Sequence, residues 1–307
     1  MLVTIVIVTR NEEKNIGNCL ESIKLQTYPK NLIEIIIVDN NSSDDTKKIA
    51  RKYTKNVFDR GPERSAQRNF GMLEKSKGKY VMYLDADMIL SSTVIERAVK
   101  KMEESEVMAL YVPEIVLGSS YWSKVRRFER SFYDGTVIDC VRILRKDIFK
   151  KVGGFDLTMT GTEDWDLDKK VREAGRVEVL DRYDFAEINR KVEEINFLKK
   201  DWVNELVKKT PKVLIYHNEL GFDLKKYLQK KSYYGQSFAI YKKKWGKGDS
   251  DLKKQFGFWY RYFLVFFTNS NQRNIFKFPS LFLGMYFLRF LVGVTYLFPK
   301  GSNEKRT

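Results

Sequence analysis

The chain has 307 residues, enough to bury a sizeable core in one large domain or in one domain with an appendage. With 43% apolar and 31% charged residues it is globular in composition, and two cysteines, Cys19 and Cys140, exclude a disulfide framework or a Cys-rich metal site and fit a reducing compartment. The net charge of +16 is uneven: residues 223–303 carry 15 Lys/Arg against 3 Asp/Glu, so a basic surface for nucleic acid or an anionic membrane would lie in the C-terminal third.

LVTIVIV (Leu2–Val8) is a continuous β-branched run and predicts a buried strand; no basic stretch precedes it, so no secretory signal is expected. Asn11 is placed to cap a helix over Ile16, Leu20 and Ile23, with Glu12 and Glu13 at the positive end of its dipole. A second strand, IEIIIV (Ile33–Val38), leads into DNNSSDD, where Asp39 lies beside the end of strand one and Ser43 is placed to cap another helix. Strand and helix alternating at this length predict βαβ units and a parallel sheet. RGPERSAQRNFG reads as a basic loop entering a helix at Ser65.

In YVMYLDADMIL the run Tyr80–Leu84 predicts a strand buried on both faces, with Asp85 and Asp87 at its carboxyl end. That end is where an open α/β sheet binds ligands, and paired carboxylates there suit Mg²⁺ or Mn²⁺ completed by substrate phosphates. The same pair also suits a solvated turn. Ser91 or Ser92 is expected to cap the next helix, followed by a strand near Val107–Val112 and an amphipathic segment, GSSYWSKVRRFERSF. A strand at Arg142–Leu144, a short helix and a turn at Gly153-Gly154-Phe155-Asp156 come next, then Thr162 as N-cap of a helix with Glu163 and Asp164 in its first turn. KVLIYH (Lys212–His217) predicts a strand ending on the only histidine.

Beyond Phe222 lie a lysine-rich helix pair (Leu224–Trp245) and two apolar stretches, with seven Lys/Arg and no Asp/Glu between Leu252 and Asn303. Phe256–Phe267 is too short to span a bilayer. Phe278–Phe298 is long enough, but Arg289 sits near its middle. A central arginine costs about 2.5–3.5 kcal/mol, against about −4 from Leu, Phe and Val at roughly −0.4 each, so insertion is marginal. A helix lying in the interface with its basic groups at headgroup level fits at least as well and is the favoured reading, with a core helix packed on the catalytic domain as the alternative.

Six of these motifs, in this order, resemble glycosyltransferase family 2, the inverting nucleotide-sugar transferases of GT-A fold, over roughly residues 2–220. They are VIVTRNEEKNI, IIIVDNNSSDDT, QRNFG, Asp85-Ala86-Asp87, Gly-Gly-Phe-Asp and Thr162-Glu163-Asp164. The resemblance implies that Thr9, Arg10, Asn11 and Glu12 form the nucleotide loop and that Asp39 contacts the base. It makes Asp87 the direct metal ligand, with Asp85 assisting or holding the ribose and His217 as third ligand, though a lone histidine also serves as core filler. Arg68 would pair with donor phosphates. Asp164 would be the catalytic base, with Glu163 and Trp165 lining the substrate site, although both acids could equally stabilise a helix N-terminus. Two positions depart from the pattern: Val8 stands where many members have proline, and Arg10 where many have a base-stacking aromatic. The Gln-x-x-Arg-Trp motif of processive synthases is absent, which argues for transfer of one sugar.

The expected architecture is an α/β GT-A domain at 1–222, with a mostly parallel central sheet and flanking helices, and a basic, aromatic helical region at 223–307 that associates with membrane. The expected partners are a UDP- or GDP-linked sugar, a polyprenyl-linked or other glycan acceptor and an anionic membrane surface, with Mg²⁺ or Mn²⁺ as cofactor and no nucleic acid. The expected location is the cytoplasmic membrane face, peripheral or C-terminally anchored. The competing readings are a nucleotidyltransferase that makes sugar nucleotides and a non-catalytic membrane-recruiting module.

Overall fold

The apolar runs are central strands. The computed structural model describes residues 1–210, 213–235, 237–268 and 270–297, and Lys212 and Phe298 lie outside them. In chain order the strands are β1 (Val3–Thr9), β2 (Ile33–Asp39), β3 (Val57–Asp59), β4 (Tyr80–Asp85), β5 (Met88–Leu90), β6 (Ala109–Tyr111), β7 (Glu114–Leu117), β8 (Ile143–Arg145), β9 (Val177–Val179) and β10 (Ile215–Asn218). The main sheet runs β3-β2-β1-β4-β8-β6-β9. It is mostly parallel, as expected, with β8 antiparallel to both β4 and β6. All seven residues of β1 are buried, because β2 and β4 flank it and helices cover both faces.

The chain leaves β1 toward β2 and β3 on one side and returns to the other side for β4. This reversal makes a crevice at the carboxyl ends of β1 and β4. The register sets Thr9 opposite Asp39 and Val8 opposite Asp85, so the expected site residues share one sheet edge. A second sheet, β5-β10-β7, stands beside it; its register sets His217 against Met88, one residue beyond Asp87. Short strands such as β5 and β9 carry too few residues to show a period in the sequence.

The expected caps are displaced. The first helix begins at Ile16 behind Asn15, not behind Asn11. Asn11 instead takes a left-handed backbone at φ 54°, and its side chain accepts the Ser43 N–H at 2.9 Å. Glu12 and Glu13 therefore precede the helix. Ser43 is bound to Asn11, and the following helix starts at Thr46, whose N–H is met by Asp44 at 3.0 Å. The helix Val94–Glu104 begins after Thr93, beyond Ser91 and Ser92; Gln26 reaches across the chain to accept the Ile95 N–H at 3.2 Å. Local spacing suggested the nearest polar side chain, whereas tertiary contacts supply the acceptor. Thr162 does occupy the N-cap position of the helix Glu163–Ala174, but its hydroxyl accepts no capping bond.

The C-terminal region forms the expected lysine-rich pair, Leu224–Gly235 and Phe238–Trp245, and a long helix, Pro279–Leu297. It does not stand apart from residues 1–222. Phe266, Met285 and Leu288 share one core with Ile89, Ile115, Phe128 and Phe185. Arg289 is not at headgroup level, contrary to the sequence reading. It is buried, donating to Glu129 at 2.9 Å, to the Tyr133 hydroxyl at 2.7 Å and to the Arg261 carbonyl. Burial pushes Glu129 up, but Arg289 and Arg126 outweigh it and lower it from its ordinary 4.5 to about 2. Because that folded value is depressed, the pair's stabilisation is complete above pH 4.5 and is lost as pH falls toward 2.

Two results follow for this pair. Arg289→Leu is expected to lower stability by up to about 3 kcal/mol in denaturant unfolding, because it leaves a buried carboxylate with Arg126 as its remaining cation. The gap between wild type and Glu129→Gln should narrow below pH 4.5. A helix crossing lipid alone would instead gain from losing the arginine, so a stabilised Arg289→Leu variant would overturn the packed arrangement.

Candidate active site

The QRN segment ties the crevice together. It lies on the helix Arg64–Asn69, and each of its side chains faces a different wall. Gln67 donates to the carbonyls of Val38 at 2.7 Å and Thr9 at 3.2 Å, holding the ends of β1 and β2. Asn69 donates to the Phe155 carbonyl and accepts its N–H, both at 2.8 Å. Gly154 has φ +64°, and a Cβ there would come 2.6 Å from Asn69 Oδ1, so glycine is favoured there. The Gly-Gly-Phe-Asp turn is thus fastened to QRN.

Arg68 lies between the other two and is 0% exposed. One terminal nitrogen donates to Asp85 and the other to Asp164, each at 2.8 Å. Its guanidinium lies 4.7 Å from the Tyr83 ring centroid and 5.1 Å from that of Phe155. One turn earlier on the same helix, Arg64 donates to Glu163 at 2.8 Å and approaches Asp85 to 4.0 Å. These arginines join the end of β4 to the start of the helix Glu163–Ala174.

Charge follows from this geometry. Burial pushes Asp85 up, but Arg68 and Arg64 hold its carboxyl far below the usual range. For Glu163 burial wins over Arg64, and its carboxyl is raised. Glu12, displaced from any helix, faces the aspartates; burial chiefly, then the charges of Asp87 and Asp85, push it up to about 7. His217 Nε2 lies 3.0 Å from Asp87 Oδ2. Burial pulls the imidazole down, but Asp87 overcomes this and raises it to about 9.

The other expected residues fall out unevenly. Thr9 donates to Asp39 at 2.7 Å, and Asp39 also accepts from the backbone and hydroxyl of Ser42, at 2.7 and 2.6 Å. Asp39 is fully buried and braces the loop after β2. Arg10 and Asn11 stand exposed at the end of β1. Arg68 is engaged by two carboxylates, Asp85 and Asp164. Trp165 packs on Phe238, Tyr241 and Phe256, and its N–H donates to the Ile138 carbonyl, so its ring is a core contact. Lys244 and Trp245 clamp Asp166 at 2.8–2.9 Å, fixing the C-terminal helices to the same helix. Arg64 was missed in the sequence, although its spacing of four from Arg68 puts both on one helix face.

Comparison with known proteins accords with this arrangement. The Glycosyl transferase family 2 profile matches residues 4–153, which contain β1, β2, the QRN segment and Asp85-Ala86-Asp87. Residues 4–153 are a glycosyltransferase family 2 segment. Among its relatives, Glycosyltransferase AglE of Haloferax volcanii is 35% identical over 112 residues, 34% of this chain and 36% of that protein. The UDP-Glc:alpha-D-GlcNAc-diphosphoundecaprenol beta-1,3-glucosyltransferase WfaP of Escherichia coli is 37% identical over 117 residues, 36% of this chain and 45% of that protein. The chain therefore spans less than half the length of these two relatives. A mannosyltransferase from Pyrobaculum calidifontis, solved with GDP-Man and Mn2+, superposes with a TM-score of 0.60 and 17% identity over 97% of this chain and 88% of its own. At that identity the likeness concerns the fold alone: a GT-A-like α/β architecture with a mostly parallel central sheet.

Proposed function

We propose that this chain transfers a single sugar from a nucleoside diphosphate to a lipid-linked acceptor at a membrane surface, with inversion. The observation carrying this reading is that the Asp87–His217 pair and Asp164 face one crevice, joined through Arg68 and Asp85. The relatives' names add that one acts on a diphosphoundecaprenol acceptor and that the Pyrobaculum calidifontis enzyme was solved with a GDP-sugar.

A divalent cation fits the residues present. Asp87 Oδ1 is buried with no hydrogen-bond partner, and three carboxylates, Glu12, Asp85 and Asp87, crowd one end of the crevice. Among the described residues no three ligating groups converge at bonding distance. Asp87 and His217 would hold the ion, with Asp85 nearby and donor phosphates completing its shell. When bound, it supplies Lewis-acid neutralisation of the leaving diphosphate. Asp164 takes the proton of the acceptor hydroxyl as that oxygen bonds to the anomeric carbon and the bond to the diphosphate breaks.

Of the two acids at the helix start, Asp164 suits the base. Its side chain is 30% exposed, whereas that of Glu163 is 2% exposed and tied to Arg64 and the Gly161 N–H. The test of donor choice is calorimetry with UDP- and GDP-sugars in the presence of Mn²⁺. Binding of neither would overturn the transferase reading.

The membrane reading rests on the outward face of the C-terminal region. Phe258, Trp259, Phe267, Phe276, Leu283 and Phe290 are exposed, in a stretch free of acids and dotted with Lys and Arg. The helix Pro279–Leu297 is long and apolar enough to cross a bilayer by length and composition. Its other side packs on the core through Met285, Leu288 and Arg289, which suits a helix lying in the interface on the cytoplasmic face. Anionic liposomes are expected to co-sediment the protein at low salt, and Trp259→Glu with Phe290→Glu to release it. Failure of wild type to co-sediment overturns this part alone.

A further inference from the structure

The helix Leu224–Gly235 reaches the crevice residues through Tyr234, although it comes from the C-terminal region. Its face is fixed at both ends. Tyr227 packs under Arg126, whose guanidinium is 4.7 Å from the ring centroid and which donates to Glu219, just after β10, at 3.2 Å. Tyr234 packs under Arg64 at 5.4 Å, and a Cβ on Gly161 would meet its Cβ at 2.5 Å. Residues three and four apart on a helix share a face, so Lys230 lies between these anchors, above the ends of β4 and β10.

Lys230 is exposed, and its ammonium lies 5.8 Å from the Tyr234 ring centroid. Through Tyr234 it adjoins Arg64, which approaches Asp85 to 4.0 Å, and its charge acts on Glu12, Glu219, Asp85 and Asp87 at the proposed metal end of the crevice. The other cations around it are already engaged. Arg68 holds Asp85 and Asp164, and Arg64 holds Glu163. Lys230 has no ion pair among the described residues. An incoming diphosphate would bring at least two negative charges into a cleft already lined by carboxylates, and a free ammonium there meets that need.

We propose that Lys230 binds the donor diphosphate, so that a residue from the C-terminal region completes the nucleotide-sugar site. The inference rests on the transferase reading above. It also ties donor binding to the membrane-facing helix, because Tyr296 of Pro279–Leu297 packs against Gly235. The sequence offered Lys230 only as one lysine in a basic run.

The test is calorimetry on the full chain with Mn²⁺, titrating UDP, GDP and the corresponding monophosphates into wild type, Lys230→Gln, Lys230→Arg and Lys231→Gln. Lys230→Gln should weaken the bound nucleoside diphosphate roughly 10-fold or more, the scale of one charged hydrogen bond, and the monophosphate much less. Lys230→Arg should restore most of the difference, and Lys231→Gln should bind as wild type. Lys230 is exposed, so unfolding midpoints should stay unchanged. If wild type binds a diphosphate and Lys230→Gln binds it equally well, the proposal is overturned while the transferase reading stands. If wild type binds neither diphosphate, both fall.

Discussion

Asp87→Ala is expected to abolish metal-dependent nucleotide binding and sugar transfer together, with the fold intact. The carboxylate sits in the turn between β4 and β5 and touches the protein through one side-chain contact, Oδ2 to His217 at 3.0 Å. Removing it leaves an imidazole that is 23% exposed and can stay neutral beside water, so no buried charge is stranded and the fold should hold. Asp85 cannot take over the role: Arg68 already holds its Oδ1 at 2.8 Å, and rotating it away would leave a fully buried guanidinium short of one partner. Calorimetry with Mn²⁺ and a nucleoside diphosphate reads the loss, and thermal unfolding reads the fold. Full transfer by this variant in chelator-treated buffer would overturn the metal assignment.

Much of this was legible in the chain because the central strands are written locally. A run such as LVTIVIV has only one solution, a strand buried on both faces, and Asp85 at the end of another such run must reach the sheet edge. Pairings that close over long sequence distances were not legible. The sequence does not say that Asn69 would grip Phe155, 86 residues on, or that Gln26 would serve a helix 69 residues away. Arg289 was misplaced for the same reason. A lone arginine in an apolar run reads as a cost to burial, and Glu129, 160 residues earlier, removes that cost. Trp165 looked like a site residue because it follows Asp164, but helical rotation turns it to the opposite wall, against Phe238 and Phe256.

Asp164→Asn tests the base. The amide matches the carboxylate in size and can still accept from Arg68, but it takes no proton at neutral pH. Arg68 keeps Asp85 as an ionised partner, so the bridge between β4 and the helix Glu163–Ala174 should hold. Donor and metal affinity should therefore change little, while turnover falls by about 10²–10⁴-fold, the scale of a positioned general base. The loss should appear in kcat, since the proton moves only as the new bond forms. Glu163→Gln should act differently. That side chain is buried, and its burial outweighs Arg64 and raises its carboxyl, so a neutral amide is expected to leave the unfolding midpoint little changed, and the enzyme should lose less turnover. The two variants thus separate in turnover with both folded, Asp164→Asn slow and Glu163→Gln faster. Should Asp164→Asn turn over normally while well-folded Glu163→Gln is dead, the base is the buried acid, and Arg64 would have to release it before the acceptor could be deprotonated.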